Sequence, residues 1–191
     1  MTLRNHYFLL RHGRSVWQKT GLAYPWPHHE KAKLDQEGKV DIQKAAKKLK
    51  DKKIDLIFSS DLYRTEQTAK IVARILSLKI VFDKRLRDNN IGIYHNRPKE
   101  IFNHDFPLSK LMIMFKKRPK GGENWNEIRK RVRAFLSEIE KKYQGKNILI
   151  VGHGGPLLLL EGLTKNLSNQ ELVNVILAQK QIKMGELRKI N

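Results

Sequence analysis

Apolar residues follow two different periods along this chain. Short continuous runs, Tyr7-Phe8-Leu9-Leu10, Leu56-Ile57-Phe58 and Ile148-Leu149-Ile150-Val151, alternate with longer stretches in which apolar positions recur every three or four residues. A short unbroken run fits a strand covered on both faces, and the longer spacing fits an amphipathic helix. The pattern predicts strands at about His6 to Leu10, Asp55 to Phe58 and, more briefly, Lys79 to Phe82. A helix is expected from Gln36 to Lys52, with Val40, Ala45, Ala46 and Leu49 inward, and another from Arg64 to Leu78 on Ala69, Val72, Ala73 and Leu76. From Glu123 to Tyr143, the positions Trp125, Ile128, Val132, Phe135, Leu136, Ile139 and Tyr143 mark a long amphipathic helix that leads into the third run. Pro156, just after Gly154-Gly155, suits the first turn of a further helix, where a missing N–H costs nothing.

Between Arg85 and Gly122 the pattern is irregular and is broken by Pro98, Pro107 and Pro119, with one helix expected near Leu108 to Phe115. This is the natural place for a substrate-covering lid. Gly185, between Gln181-Ile182-Lys183 and Leu187-Arg188-Lys189, predicts an edge hairpin in the tail. Alternating strands and helices imply an α/β fold, a three-layer α/β/α arrangement with a mostly parallel central sheet. The 191 residues fit one domain, residues 1–191, since no Pro/Gly/Ser-rich linker or internal repeat divides them.

Composition narrows the function classes. The apolar runs are much shorter than a membrane span, and Tyr7 to Leu10 is too short for a signal-peptide core, so a cytoplasmic protein is expected. The absence of cysteine excludes disulfides, thiolate metal sites and cysteine nucleophiles. The net charge of +20 would attract anions, but lysines outnumber arginines 26 to 13 and spread along helices, as in Lys44, Lys47, Lys48, Lys50, Lys52 and Lys53. That dispersal reads as solvated helix faces. With no aromatic-rich RNA-binding signature, zinc-finger spacing or heptad pattern, nucleic acid is not the expected main partner. His28-His29-Glu30 lacks a third ligand at useful spacing, so neither a metal site nor a cofactor is expected.

The chemistry gathers at the strand ends. Arg11-His12-Gly13 closes the first apolar run, and Gly152-His153-Gly154-Gly155 closes the last. Ser59-Ser60-Asp61-Leu62-Tyr63-Arg64-Thr65-Glu66-Gln67-Thr68-Ala69 follows the middle run and sets Arg64 near a third strand end. In open α/β sheets ligands bind in the crevice at the carboxyl ends of the strands, so these residues can share one site. A neutral imidazole such as His12 can attack phosphorus through one ring nitrogen while the other donates its proton to a fixed acceptor. Arg11 and Arg64 offer planar forks for phosphate oxygens, His153 a further contact, and the N–H groups of Gly154 and Gly155 positive potential if they begin a helix. The alternative, two ordinary histidines satisfied by local hydrogen bonds, is disfavoured by their joint placement with the two arginines.

Together these segments closely resemble the histidine phosphatase superfamily, the phosphoglycerate-mutase-like fold. Leu34-Asp35-Gln36-Glu37-Gly38 is similar to the family's segment opening its first helix, and Gly121-Gly122-Glu123-Asn124 to its Gly-Glu-Ser-like turn. The resemblance implies that His12 becomes a phosphohistidine and that Arg11, Arg64 and His153 form the phosphate pocket, with Ser15 at the family's serine or threonine position. The family's general acid is usually a glutamate in a Leu-x-Glu context; the matching run Leu86-Arg87-Asp88-Asn89-Asn90-Ile91-Gly92-Ile93-Tyr94 puts Asp88 there. A loop carboxylate pairing with Arg85 or Arg87 is the competing reading of Asp88, and Glu123 is the reserve acid. Arg14, Gln18 and the stretch Gly92-Ile93-Tyr94-His95-Asn96 depart from the family pattern.

The implied activity is metal-independent hydrolysis of a phosphomonoester, on a small molecule or a phosphorylated macromolecule. Phosphoglycerate mutase-type transfer is the first alternative, although Arg87-Asp88-Asn89-Asn90-Ile91-Gly92 lacks the mutases' Glu-Arg-His-Tyr-Gly-like stretch. A catalytically impaired phosphate- or phosphoprotein-binding module and a nucleic-acid-binding protein are the others. Specificity is expected from the lid segment and the Tyr24 to His29 loop, with Tyr24, Trp26 and Tyr94 either stacking on substrate or anchoring loops on the core, and His95 lining the lid. Lys116, Lys117, Arg118 and Lys120 would draw anions to the rim.

Overall fold

The computed structural model describes residues 3–23, 26 and 32–191. Four parallel strands, β1 (His6–Arg11), β2 (Leu56–Ser59), β3 (Ile80–Phe82) and β4 (Asn147–Gly152), and one antiparallel strand, β5 (Leu187–Lys189), form a sheet of order β3-β2-β4-β1-β5. The unbroken apolar runs are explained by burial on both faces. Phe8, Leu10, Ile57, Leu149 and Val151 pack under α1 (Gln36–Leu49) and α2 (Tyr63–Leu76). Tyr7, Leu9, Phe58, Ile148 and Ile150 pack on the opposite side under α4 (Trp125–Lys142) and α5 (Gly154–Thr164). This is the expected three-layer arrangement.

The long helices begin where their caps sit. The Asp35 carboxylate accepts from Gly38 N–H to open α1, and Asn124 with Glu127 forms a reciprocal capping box at α4. Gly38 also permits a close approach, because a Cβ there would lie 2.1 Å from the Arg14 carbonyl oxygen. The start of α1 is thereby laid against the loop that leaves β1. Ile42 is the fully buried residue of this helix turn, whereas Val40, expected inward, is exposed. Far from that loop, Glu140 of α4 accepts from Tyr7 Oη and Asn5 Nδ2, which satisfies a buried carboxylate at the start of β1.

Three further differences from the sequence expectations lie in the connections. The lid segment holds a short helix α3 (Lys99–Asp105) in addition to the expected one, and the latter is a 3-10 helix (Leu108–Phe115) interrupted at Lys110. With prolines at 98 and 107, each piece is too short to display a helical period. The tail forms no hairpin: β5 pairs with β1, and Gly185 N–H reaches the carbonyls of Arg11 and His12. A sixth helix, α6 (Asn169–Leu177), buries Leu172 and Val173 and is opened by the Ser168–Glu171 capping box. Tyr94, Phe106, Leu111, Met114, Phe115 and Trp125 gather with α4, α5 and α6 into a separate cluster beside the sheet ends.

Candidate functional site

The parallel register brings the strand ends level. Arg11 lies opposite Gly152, the His12 N–H donates to the Gly152 carbonyl at 3.0 Å, and the Ser60 N–H donates to the Val151 carbonyl at 3.1 Å. His12, Arg64, Asp88 and His153 are thereby brought together, and all four are buried. Arg11, His12, Ser15, Arg64, Asp88 and Gly154 line one cavity of about 400 Å³; His153 is fully buried and does not line it, but its ring centroid is 5.2 Å from that of His12.

The tautomer of His12 follows from its partner. Its Nδ1 lies 2.9 Å from the Gly13 carbonyl oxygen, which can only accept, so Nδ1 carries the proton and Nε2 keeps its lone pair. Burial holds His12 well below the ordinary imidazole value, and the charges of Arg64, the neighbouring His153 and Arg11 push the same way against the Gly13 hydrogen bond. His153 is depressed likewise by burial and by Arg64, Arg11 and Arg131. Two neutral imidazoles therefore sit under two guanidinium groups.

This arrangement makes stability depend on pH in a definite direction. Below the ordinary imidazole value of about 6.5 the unfolded chain takes up protons on these two histidines that the native site refuses. Their contribution is complete above that value and is lost as pH falls, with a combined slope approaching about 2.7 kcal/mol per pH unit. Urea midpoints measured from about pH 7.5 to pH 5 should fall accordingly, and less steeply in His12→Asn. An equal slope in the variant contradicts this account.

Arg64 projects from the first turn of α2, and its Nη2 donates to Asp88 Oδ2 at 2.5 Å. Asp88 Oδ1 accepts from Asn89 N–H, and His153 Nδ1 lies 3.4 Å from Asp88 Oδ2 without hydrogen-bond geometry. Arg85 and Arg87 are engaged elsewhere, with Asp83 and Glu138 and with Asp61 respectively, so the loop-pair reading of Asp88 is not what the structure shows. Arg11 Nη1 donates to the Ile182 carbonyl while its guanidinium lies against Gly154, where a Cβ would come within 3.1 Å of Cζ. His153 is the N-cap of α5, so the N–H groups of Gly154 and Gly155 are among those the first turn leaves without helical partners. Ser15 donates to Gln18 Oε1 at the cavity wall, and Arg14 turns away to Asp35 and Glu37.

Several expected positions stand apart from the cavity. Glu123, the reserve acid, pairs with Arg131 and accepts from Asn90 N–H. Tyr94 donates to Asp105, and Trp26 stacks on His95 with rings 5.5 Å apart; these aromatics anchor the lid loops, and none of the three lines the cavity. Lys117 sits over Phe106 and Arg118 pairs with Glu127, so they do not line it either. Tyr24, His28, His29 and Glu30 lie outside the described residues. Among the described residues no group of histidines and carboxylates is arranged to hold a metal ion.

The structure adds positions that the motifs did not single out. Ser60 Oγ lies 2.9 Å from His153 Nε2, Thr68 Oγ1 accepts from Gly13 N–H, and Arg131 donates to the carbonyls of Arg85 and Asp88. Asn89 packs against Gly155, where a Cβ would meet its side chain at 2.5 Å. Ser60 and Thr68 lie within the Ser59 to Ala69 motif, whereas nothing local signals Arg131's contacts with the Arg85 and Asp88 carbonyls, which are more than forty residues away.

The comparisons agree with this geometry. A probable phosphoglycerate mutase of Yersinia enterocolitica is 34% identical over 150 residues, spanning 77% of this chain and 68% of its own. A putative phosphoserine phosphatase of Hydrogenobacter thermophilus is 28% identical over 180 residues, 88% of this chain and 82% of its own. The structure of a mycobacterial glucosyl-3-phosphoglycerate phosphatase superposes with a TM-score of 0.80 at 22% identity, covering 96% of this chain and 90% of that one. With residues 7–184 matching the family's model, the chain belongs to the histidine phosphatase superfamily, branch 1.

Proposed function

We propose that the protein is a phosphomonoester hydrolase that works without a metal ion, through a phosphohistidine on His12. The observation that carries this reading is the His12 tautomer, with Nδ1 committed to the Gly13 carbonyl and Nε2 left with its lone pair on a residue that lines the cavity with Arg64 and Arg11. The ester phosphate takes the place now occupied by the Arg64–Asp88 contact, with Arg11, Arg64, His153 and the α5 N-terminus around its oxygens. Nε2 attacks phosphorus and the P–O bond to the leaving group breaks. The leaving oxygen takes its proton from Asp88 as general acid. A water then attacks the phosphohistidine, gives a proton back to Asp88, and the N–P bond breaks to release inorganic phosphate.

The 28% identical relative named as a phosphoserine phosphatase supports hydrolysis, and the 34% identical one named as a mutase supports transfer to a second hydroxyl. Hydrolysis of an aryl phosphate in chelator, with no bisphosphoglycerate present, separates the two. Wild-type turnover is expected under those conditions. Asp88→Asn should reduce it by about 10² to 10³-fold. Turnover that appears only with added bisphosphoglycerate would assign the mutase reaction instead.

A further inference from the structure

Resting on the hydrolase reading, we propose that the group esterified to phosphate in the preferred substrate is uncharged and predominantly apolar, an alkyl or aryl body rather than a polyhydroxylated or carboxylated one. The cavity of about 400 Å³ is larger than a phosphate needs, and its two ends differ in chemistry. The phosphate end has His12, Arg11 and Arg64. Away from it the wall consists chiefly of Trp17, Phe106, Leu111, Met114, Trp125 and Leu158.

The wall is also part of the core. Phe106, Leu111, Met114, Trp125 and Leu158 share one apolar cluster with Ile128 and Val132 of α4, so the organic half of the cavity is a preformed face backed by a long helix. On α3 the positions Lys99, Phe102 and Asn103, with Phe106 at its C-cap, line the cavity at helical spacing. Lys99 is exposed, and among the described lining residues it is the one charged side chain beyond the Arg11–His12–Arg64–Asp88 group. Gln18 Oε1 already accepts from both the N–H and the hydroxyl of Ser15.

Among the described residues beyond the phosphate end, a carboxylate or second phosphate on the substrate would find the exposed Lys99 as its one cation and the Trp125 indole N–H as its one buried donor without a partner. A polyol would lose hydrogen bonds to water against an aromatic and aliphatic wall, whereas apolar surface gains by the same transfer. These opposite costs select the leaving group.

A series of n-alkyl phosphates from ethyl to octyl tests this, because leaving-group basicity is nearly constant along it. kcat/KM should rise roughly two- to fourfold per added methylene until the cavity is filled, and glycerol 1-phosphate should be about tenfold or more poorer than propyl phosphate. Met114→Trp should shorten the chain length at which the rise stops. If that variant fails to fold, Leu108→Glu, at a cavity residue that is 68% exposed, should flatten the rise. A flat or falling series, or a preference for glycerol 1-phosphate or 3-phosphoglycerate, overturns the inference while His12-dependent hydrolysis of an aryl phosphate leaves the hydrolase reading standing. No hydrolysis of any ester removes both.

Discussion

His12→Ala is expected to reduce phosphomonoester hydrolysis by about 10⁴-fold or more, while inorganic phosphate still binds. The size of the loss follows from the covalent route, which is closed at His12 without Nε2, so that water would have to attack the ester directly. Binding is retained because the groups that hold the oxygens, Arg11, Arg64 and the α5 N-terminus, do not depend on the imidazole for their positions. Arg64 is held through Asp88, and Arg11 through the Ile182 carbonyl and its packing on Gly154. Turnover and phosphate binding, measured on the same preparation, separate loss of the nucleophile from loss of the fold. A loss of less than tenfold in turnover would remove His12 from the nucleophile role.

The second large effect belongs to Arg64. Truncating it to alanine removes one phosphate fork and leaves Asp88 buried without its cation, which should cost about 3–5 kcal/mol of stability. Adding Asp88→Asn removes the stranded carboxylate, so the double variant should regain most of that stability while turnover stays lost. Denaturant midpoints for the two single variants and the double one measure this coupling. Simple additivity would mean that the two side chains do not act as a pair. Arg64 would then contribute to phosphate binding alone.

The positions that were legible in the sequence were those whose environment is local or dictated by burial. β1, β2 and β4 read as continuous apolar runs because both faces of the sheet are covered, and the Arg-His-Gly and Gly-His-Gly-Gly segments sit at their ends for the same topological reason. α4 was legible because seven apolar positions repeat over five turns. Val40 misled because it sits two residues from Ile42 on a helix whose inward face is set by the approach of Gly38 to Arg14, a contact between segments far apart in sequence. α6 was not expected from the sequence, although the Ser168–Glu171 capping box sits at its N-terminus. The partner of β5 was not legible, since a three-residue edge strand pairs wherever a free strand edge lies, and that edge is supplied by β1.

Within the site, residue types were legible and pairings were not. The sequence named Asp88 but offered Arg85 or Arg87 as its ordinary partner. The fold gives those arginines to Asp83, Glu138 and Asp61 and brings Arg64 to Asp88 from the preceding helix, α2. The sequence left Tyr94 between a substrate contact and a loop anchor. Its hydroxyl donates to Asp105, and its ring packs edge-on against Phe102 and Phe106 to hold the lid. The apolar wall of the cavity was hidden for a related reason, as it is assembled from five separate segments, none with a motif of its own.

The central claim is that phosphoryl transfer passes through His12. Protein mixed with an excess of aryl phosphate and quenched in alkali within a single turnover should carry one phosphoryl group on the peptide containing His12. That label should disappear in His12→Ala and persist longer in Asp88→Asn than in the wild type. Turnover that proceeds with no phosphoryl group on His12, or with one on another residue, contradicts the account.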